Sequence, residues 1–299
     1  MPIKKQHLAY CDLILSMTFL GSTLVLGKNL ITIFPIFLLL SIRFLIGTSF
    51  FSIFYFRKIK PTVLCNMILT KKDWSLLFLQ SLFGAFAFNL LMLLGLRFTT
   101  ANSAAVLTST IPAFISIFSF LILKETISKY KCIAIVFSIL GLILVTANIS
   151  STAWNLKVIL GNILVLCAVI SGALFPICTK LIVDKMTTPL ISLAFNFFGL
   201  ILFLPFAIGE ASTFVFTSIS LTTWLLVIFY SLTANILYLH FWNKGLRTIT
   251  ASTASLFVAV MPISTAILAY LFLGEVLTIS QISGIIFVIL AIAVGVYRG

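Results

Sequence analysis

The sequence predicts an all-helical integral membrane protein with ten transmembrane helices arranged as two inverted five-helix repeats. Three observations support this fold class. The 299 residues are 62% hydrophobic and 8% charged, whereas soluble domains carry roughly 25% charged residues. The apolar residues form continuous runs that are long enough to cross a bilayer. Finally, a segment in the first half of the chain recurs about 150 residues later, in the second half.

The apolar runs are expected to be helices. A helix needs about 20 apolar residues to cross the hydrocarbon core, and a closed β-barrel is the other structure that can span it. Barrel strands alternate apolar and polar residues, whereas the runs in this chain are continuous, which favours helices. The predicted spans are 9–27, 32–56, 74–94, 100–123, 130–148, 158–179, 189–209, 222–243, 251–273 and 278–297.

The basic residues predict how the chain is threaded through the membrane. With a cytoplasmic N-terminus, 15 of the 19 Lys and Arg lie in cytoplasmic segments. Lys28, Arg97 and Lys157 lie on the other side, and Arg43 lies within a span. Because cytoplasmic loops are enriched in Lys and Arg, we expect a multi-pass protein of the inner or plasma membrane with both termini in the cytoplasm. The same short-loop placement argues against nucleic acid as a partner, despite the net charge of +13.

The internal repeat aligns residues 95–127 with residues 245–277 without a gap, and 11 of these 33 positions are identical. Each half holds five predicted spans, so the second half is expected to enter the membrane from the opposite side. Arg97 then lies outside and its counterpart Arg247 inside. The predicted domains are 1–150 and 151–299.

Each repeat starts a helix with small and polar residues, places a proline within it and ends it with an L-x-L-[GK]-E turn. The matching residues are Thr99–Ala104, Pro112 and Leu121–Glu125, then Thr250–Ala254, Pro262 and Leu271–Glu275. The second span adds an Arg43-Phe44 pair. These motifs resemble the drug/metabolite transporter superfamily, EamA type. The resemblance implies a basket of ten helices around a central cavity, with the fifth and tenth helices at the side.

Polar side chains within the spans are the candidates for lining such a cavity, because a polar group in lipid needs a partner or a purpose. For each one the alternative is hydrogen bonding between helices, worth roughly 0.6 kcal/mol. Two kinds of role are open for Arg43. It can attract a carboxylate of the solute, or it can act structurally by snorkelling or by capping helix carbonyls. The candidates are Ser22, Thr23, Arg43, Asn89, Asn102, Ser103, Thr108, Ser171, Asn196, Asn235, Tyr238, Ser252 and Thr253.

Two prolines at equivalent positions of the repeat, Pro112 and Pro262, predict paired kinks or hinges. Each removes one backbone hydrogen bond and frees a carbonyl one turn back. A freed carbonyl can serve a hinge or a substrate, and the alternative is a kink that only shapes packing.

Among the titratable groups, His240 and Asp12 are the candidates for a proton-linked role. Packing beside Trp242 is the alternative for His240, and an interfacial position is the alternative for Asp12. Glu125 and Glu275 are expected to face water in tight turns, where each favours the N-terminus of the following helix.

The predicted function is secondary transport of a small organic metabolite, an amino acid or a related compound, by alternating access and in the direction of efflux. The chain has no G-x-x-x-x-G-K-[ST] motif for ATP hydrolysis. No enzymatic activity, cofactor or metal is expected, and the partners are the metabolite, the lipid bilayer and a possible second copy in a homodimer. The alternatives are a non-transporting receptor or assembly protein, a membrane-embedded lipid enzyme and an ion channel.

Overall fold

The computed structural model describes residues 3–58, 69–146, 156–273 and 278–297. These ranges consist of helices joined by short turns, with no strand among them. We number the helices in chain order and treat a rod that continues through a π-turn or a short break as one helix. They are α1 Ile3–Leu30, α2 Ile36–Lys58, α3 Lys71–Leu96, α4 Ala101–Thr108 with Ile111–Leu123, α5 Lys129–Thr146, α6 Leu156–Ile182, α7 Thr188–Ala211, α8 Leu221–Thr248, α9 Ala251–Phe257 with Val260–Leu273, and α10 Ile279–Tyr297.

Within the described ranges, nine of these helices are long and apolar enough to cross a membrane. Each of the nine corresponds to one predicted span. The remaining predicted span, 130–148, corresponds to α5, which has 18 residues. The all-helical membrane architecture is therefore confirmed, whereas the number of ten crossings stays a prediction.

The two halves start their central helices with the same side-chain caps. Thr70 caps α3 and Ser220 caps α8, while Thr100 caps α4 and Thr250 caps α9. In each case the hydroxyl accepts a hydrogen bond from the backbone N–H three residues further on, which satisfies one of the donors left free at a helix start. The repeated caps show that the sequence repeat is also a repeat of local structure.

Within the described ranges, each half also contains one π-turn, at Leu82–Ala87 within α3 and at Leu232–Leu237 within α8. A π-turn accommodates an extra residue in a helix. Such turns are rare overall, and many of those known lie at functional sites. The two turns occupy equivalent positions of the repeat, so the irregularity belongs to the shared architecture of the halves.

Helices of one half pack mainly against helices of the other half. Helix α1 packs against α8 and α9, and α6 packs against α3 and α4. Helix α2 packs against α7, and α5 packs against α10, so these four helices contact their own counterparts. Such an arrangement is expected of two halves related by a two-fold axis.

Close approach between α2 and α7 depends on one glycine from each helix. A Cβ atom on Gly47 would lie 2.1 Å from Oδ1 of Asn196, and one on Gly199 would lie 2.7 Å from Cε1 of Phe44. These glycines therefore let a polar side chain and an aromatic ring enter the interface between the two helices.

Aromatic residues form much of the main core around this interface. Phe44 stacks on Phe203 with ring centroids 5.7 Å apart, and Phe175 stacks on Trp242 at 6.4 Å. All four side chains are buried. Since Phe, Tyr and Trp bury large areas and pack in preferred geometries, they fix the positions of α2, α6, α7 and α8 around the polar groups in the middle of the bundle.

Candidate functional site

Two buried asparagines join α7 and α8 in the middle of the bundle. Nδ2 of Asn235 donates to Oδ1 of Asn196 at 2.6 Å. Nδ2 of Asn196 in turn donates to the carbonyl oxygen of Ser192 at 2.8 Å. Asn235 belongs to the π-turn of α8. The structure thus brings together two of the predicted cavity residues.

Arg43 of α2 extends the central cluster. Its Nη1 donates to the hydroxyl of Tyr230 at 3.2 Å, and its guanidinium carbon lies 5.0 Å from the ring centroid of Phe44 and 5.6 Å from that of Tyr230. The backbone oxygen of Arg43 lies 3.5 Å from Nδ2 of Asn235. Arg43, Asn196, Asn235 and Tyr230 are called the central cluster below.

Further polar contacts connect the helices around the central cluster. Nδ2 of Asn243 donates to Oγ of Ser192 at 3.1 Å. The hydroxyl of Thr179 donates to Oε1 of Gln80 at 3.1 Å, and Nε2 of Gln80 donates to the carbonyl oxygen of Ile191 at 3.3 Å. None of these residues was among the sequence-based candidates, although Gln80 and Asn243 are amides within apolar runs, which is the signal that identified Asn196.

The second polar assembly lies at one end of the bundle, where α4 and α8 finish and α5 and α9 begin. We call it the Glu125 end. From the α4–α5 turn, the carboxylate of Glu125 accepts from the backbone N–H of Ala251 at 2.9 Å, from that of Ser252 at 3.1 Å and from the Ser252 hydroxyl at 3.0 Å. The hydroxyl of Ser119 also donates to it.

This arrangement corrects the prediction for Glu125. The side chain is half-buried and caps α9, a helix of the other half, instead of facing water next to α5. Burial acts to raise the pKa of Glu125, but the hydrogen bonds from Ser119, Ala251 and Ser252 outweigh it and hold the pKa below its usual 4.5. The carboxylate therefore stays ionised. Glu275, its counterpart in the repeat, lies outside the described residues.

Cations reinforce the Glu125 end through backbone oxygens. Nζ of Lys180 donates to the carbonyl oxygens of Leu246 at 2.7 Å and Ile249 at 2.9 Å. Nη2 of Arg247 donates to the carbonyl oxygen of Val183 at 2.7 Å. These contacts tie the end of α8 to the end of α6, because cations satisfy and stabilise helix C-terminal carbonyls.

Two ion pairs lie at the same end. Nζ of Lys244 is 2.9 Å from Oδ1 of Asp12, and Nζ of Lys185 is 2.7 Å from Oδ1 of Asp73. His240 packs edge-on against the next aromatic ring of α8. The structure thus places Asp12 in an ion pair and packs His240 against Phe241. Packing of His240 beside Trp242 and a proton-linked role for either residue stay predictions.

The other candidates are distributed over several helices. Ser171 of α6 donates to the carbonyl oxygen of Phe83, in the π-turn of α3, at 3.0 Å. The backbone oxygen of Tyr238 accepts from the Ser16 hydroxyl at 3.0 Å. The side chain of Asn102 lies outside the described residues. Four candidates bond to carbonyls of their own helices, namely Ser22, Thr23, Asn89 and Thr108, while Ser103 and Thr253 take part in helix-start caps.

Both predicted kinks coincide with breaks in the helices. Helix α4 stops at Thr108 and resumes at Ile111, with Pro112 in the first turn of the resumed helix. Helix α9 stops at Phe257 and resumes just before Pro262. A proline is tolerated best in a first turn, where its missing N–H is not needed. The use of these breaks as hinges stays a prediction.

The chain matches known proteins along both halves. Residues 7–147 and 159–297 match the profile of the EamA-like transporter family. The chain is 34% identical over 299 residues to the uncharacterized transporter YetK of Bacillus subtilis (strain 168), covering 99% of this chain and 89% of that protein. It is 26% identical to the uncharacterized transporter YyaM of the same organism, over 72% of this chain and 71% of that one.

The fold has a solved counterpart. A crystal structure superimposes with a TM-score of 0.77 and covers 97% of this chain and 96% of its own, at 13% sequence identity. This likeness concerns the fold alone. Together, the family matches in both halves, the full-length relative and the apolar helices lead to one conclusion. The chain is a multi-pass membrane protein and belongs to the EamA-like transporter family.

Proposed function

We propose that this protein is a secondary transporter that moves a small organic metabolite, an amino acid or a related compound, out of the cell by alternating access. One observation carries the proposal, namely that equivalent helices of the two halves have different environments. Every residue of Ala251–Phe257 at the start of α9 is buried. At the equivalent start of α4, residues 103–108 are mostly half-buried, and Val106 is 37% exposed.

Unequal environments in two similar halves are what a single state of an alternating-access carrier requires. If the halves exchange conformations, the start of α4 becomes the buried one and the start of α9 opens. The central cluster lies between the two ends and is then reached from each side in turn. The breaks before Pro112 and Pro262 are suitable places for this change, because they interrupt the backbone hydrogen bonding of α4 and α9.

In this proposal the two units, 1–150 and 151–299, act as the moving halves, and the protein transports without catalysing a reaction. By the positive-inside rule, we expect both termini and the Glu125 end to lie in the cytoplasm. The described state is then the one closed towards the cytoplasm. The efflux direction follows the resemblance to drug/metabolite transporters, and a homodimer stays a prediction of the sequence.

The test is counterflow in sealed liposomes. Purified protein is reconstituted into vesicles loaded with an unlabelled metabolite, and uptake of the same radiolabelled metabolite is followed without ATP over a panel of amino acids, organic acids, amines and nucleosides. We expect saturable exchange of at least one class, absent from protein-free vesicles. Exchange of no panel member would contradict the proposal, and single-channel currents would favour an ion channel.

The direction is tested in cells with the gene deleted and restored. Efflux predicts that cells without the protein retain more of the substrate found in liposomes, and that a variant without transport activity does not correct this. A faster loss of that substrate from the deleted cells would contradict efflux while leaving secondary transport in place.

A further inference from the structure

Arg43 is a cation inside the bundle to which the described residues supply no anionic partner. Both ion pairs among the described residues use lysines, and no carboxylate of the described chain pairs with Arg43. Its Nε is buried and has no hydrogen-bond partner. The rings of Phe44 and Tyr230 offset part of the cost of removing the guanidinium from water. Burying an ion without a counter-charge is costly. The side chain of Arg43 is half-buried, so the described residues leave its charge incompletely compensated.

The two structural roles that the sequence leaves open for Arg43 do not account for its contacts. Arg43 lies seven residues after Ile36, the first residue of α2, which corresponds to a rise of about 10 Å along the helix. Its Nη1 bonds to the hydroxyl of Tyr230, on α8, and not to a helix carbonyl. The guanidinium is thus held towards the neighbouring helix and does not extend along α2 to the membrane surface, as snorkelling requires.

The surroundings of Arg43 suit a carboxylate. The Tyr230 hydroxyl accepts a hydrogen bond from Arg43, which leaves its own O–H free to donate to an anion. The Asn196–Asn235 amide pair is adjacent, since Nδ2 of Asn235 lies 3.5 Å from the backbone oxygen of Arg43. A planar guanidinium binds a carboxylate with two parallel N–H donors, a geometry that a lysine cannot reproduce.

We infer that Arg43 and the Tyr230 hydroxyl form the subsite for a carboxylate group of the transported solute. This inference rests on the proposed transport function and narrows it. The substrate class is a carboxylic acid or an amino acid zwitterion, and amines or neutral solutes of the same shape are poor substrates. The buried Asn196–Asn235 pair lies next to this subsite.

The test uses pairs of probes that differ in the carboxylate alone. Leucine is compared with 3-methylbutylamine and leucinamide, and phenylalanine with 2-phenylethylamine, by counterflow and by thermal shift of the purified protein. Vesicles of phosphatidylcholine exclude anionic lipid headgroups, and inorganic phosphate serves as a third probe. Because a hydrogen bond to a charged group contributes about 1.5–3 kcal/mol, we expect acids to bind at least about tenfold more tightly than the matched amines.

Substitutions at Arg43 test whether this residue is responsible for the preference for acids. Arg43→Gln is expected to lose the preference for acids and to bind them at least about tenfold more weakly. Arg43→Lys is expected to keep part of the preference, since it retains the positive charge but loses the two parallel N–H donors of the guanidinium. Arg97→Gln removes the same charge from an exposed turn and is the matched control. If Arg43→Gln does not fold, the comparison of probes on the unmodified protein decides the question.

The outcomes separate the two proposals. Equal or better transport of amines and neutral solutes, stabilisation by phosphate but not by acids, or an unchanged acid preference in folded Arg43→Gln would each overturn the carboxylate subsite and leave the transport function in place. Exchange of no probe and no member of the wider panel would overturn the transport function and the subsite with it.

Discussion

The two ends of the bundle are built from equivalent segments but are held by different chemistry. At the Glu125 end, charged side chains make the contacts, including the carboxylate on the start of α9, two ion pairs, and Lys180 on backbone oxygens. The opposite end, where α3 finishes and α4 begins, we call the Arg97 end. There Thr99 donates to Oδ1 of Asn162 at 2.6 Å, and the N–H of Leu38 donates to Glu210 at 2.7 Å.

Under the proposed alternating-access mechanism, this difference predicts which contacts set the preference for one state. The caps, π-turns and helix contacts are shared by both halves and favour neither end. Each end has a carboxylate on a helix start, but the two ion pairs and the Lys180 contacts described above lie at the Glu125 end. We expect these additional contacts to favour the state in which the start of α9 is covered. A nearly symmetric scaffold thus carries asymmetric contacts, and single substitutions at those contacts are expected to shift the equilibrium between states.

The largest expected effect concerns the sidedness of the two ends. In a background without native cysteines, Arg97→Cys and Arg247→Cys are exposed to a membrane-impermeant maleimide added outside intact cells. We expect complete modification at position 97 and none at 247, because an odd number of spans separates the two turns. Modification in permeabilised cells is the control for reactivity, and equal labelling from outside would rule out the inverted arrangement.

The next largest effect is expected from Glu125→Ala. The substitution leaves the N–H groups of Ala251 and Ser252 without their acceptor, at a cost of about 1–3 kcal/mol each. We expect amide hydrogen exchange of Ala251–Phe257 to accelerate at least about tenfold and counterflow to decrease. Lys129→Ala, at an exposed position of the same end, is the control. Unchanged exchange in Glu125→Ala would show that the carboxylate does not hold this end closed.

Substitution of a glycine at each end by alanine is expected to have an intermediate effect on stability. A Cβ on Gly161 would lie 2.7 Å from the backbone nitrogen of Thr99 and 2.9 Å from the backbone oxygen of Gly95. One on Gly245 would lie 2.8 Å from the Leu13 side chain, and its nearest backbone atom, the oxygen of Ala9, would be farther away at 3.1 Å. Backbone atoms cannot move aside as a leucine can. We therefore expect Gly161→Ala to lower the melting temperature more than Gly245→Ala, with a cost of about 1–3 kcal/mol.

The control for the glycine series is Gly209→Ala. A Cβ at Gly209 meets nothing within 4 Å, so this substitution within α7 is expected to be neutral or to stabilise the helix by up to about 1 kcal/mol. The melting temperature in detergent measures all three variants. A larger loss for Gly245→Ala than for Gly161→Ala would show that the Glu125 end is the more rigid one.

The smallest effect is expected when the pH is varied and the stability of the Glu125 end is followed. The pKa of Glu125 is below its usual 4.5 in the folded protein. Its contribution to stability is therefore fully present above pH 4.5 and is lost only as the pH falls through the lower, folded value. Hydrogen exchange of Ala251–Phe257, corrected for intrinsic rates, should not change above pH 4.5. Loosening of this segment at higher pH would show that another group controls the closure.

Most of the fold could be predicted from the sequence. Continuous apolar runs predict the helices because only lipid suits such surfaces, and the aligned motifs around Pro112 and Pro262 predict the repeat. Asn196 and Asn235 could be selected because an amide inside an apolar run requires a partner, and the structure shows that they are partners. Whether they also contact a substrate stays a prediction.

The remaining features depend on tertiary packing. The contact of Glu125 with α9 joins residues more than 120 positions apart, and the spacing along the chain suggests only the nearer helix start. Tyr230 is missed because an aromatic residue in an apolar span has no unusual feature until Arg43 is placed beside it. The π-turns have no marker either, since LFGAFA and LTANIL share only their first leucine.

The paired π-turns set the rotational alignment of α3 and α8. The extra residue at Leu82–Ala87 turns everything after it by about 100° relative to an uninterrupted helix. Gly95 faces α6 only because of that rotation, and in the other half Leu232–Leu237 brings Gly245 against α1. Loss of a single residue from either turn would leave the composition of the helix intact and direct a bulky neighbour at the seam between the halves.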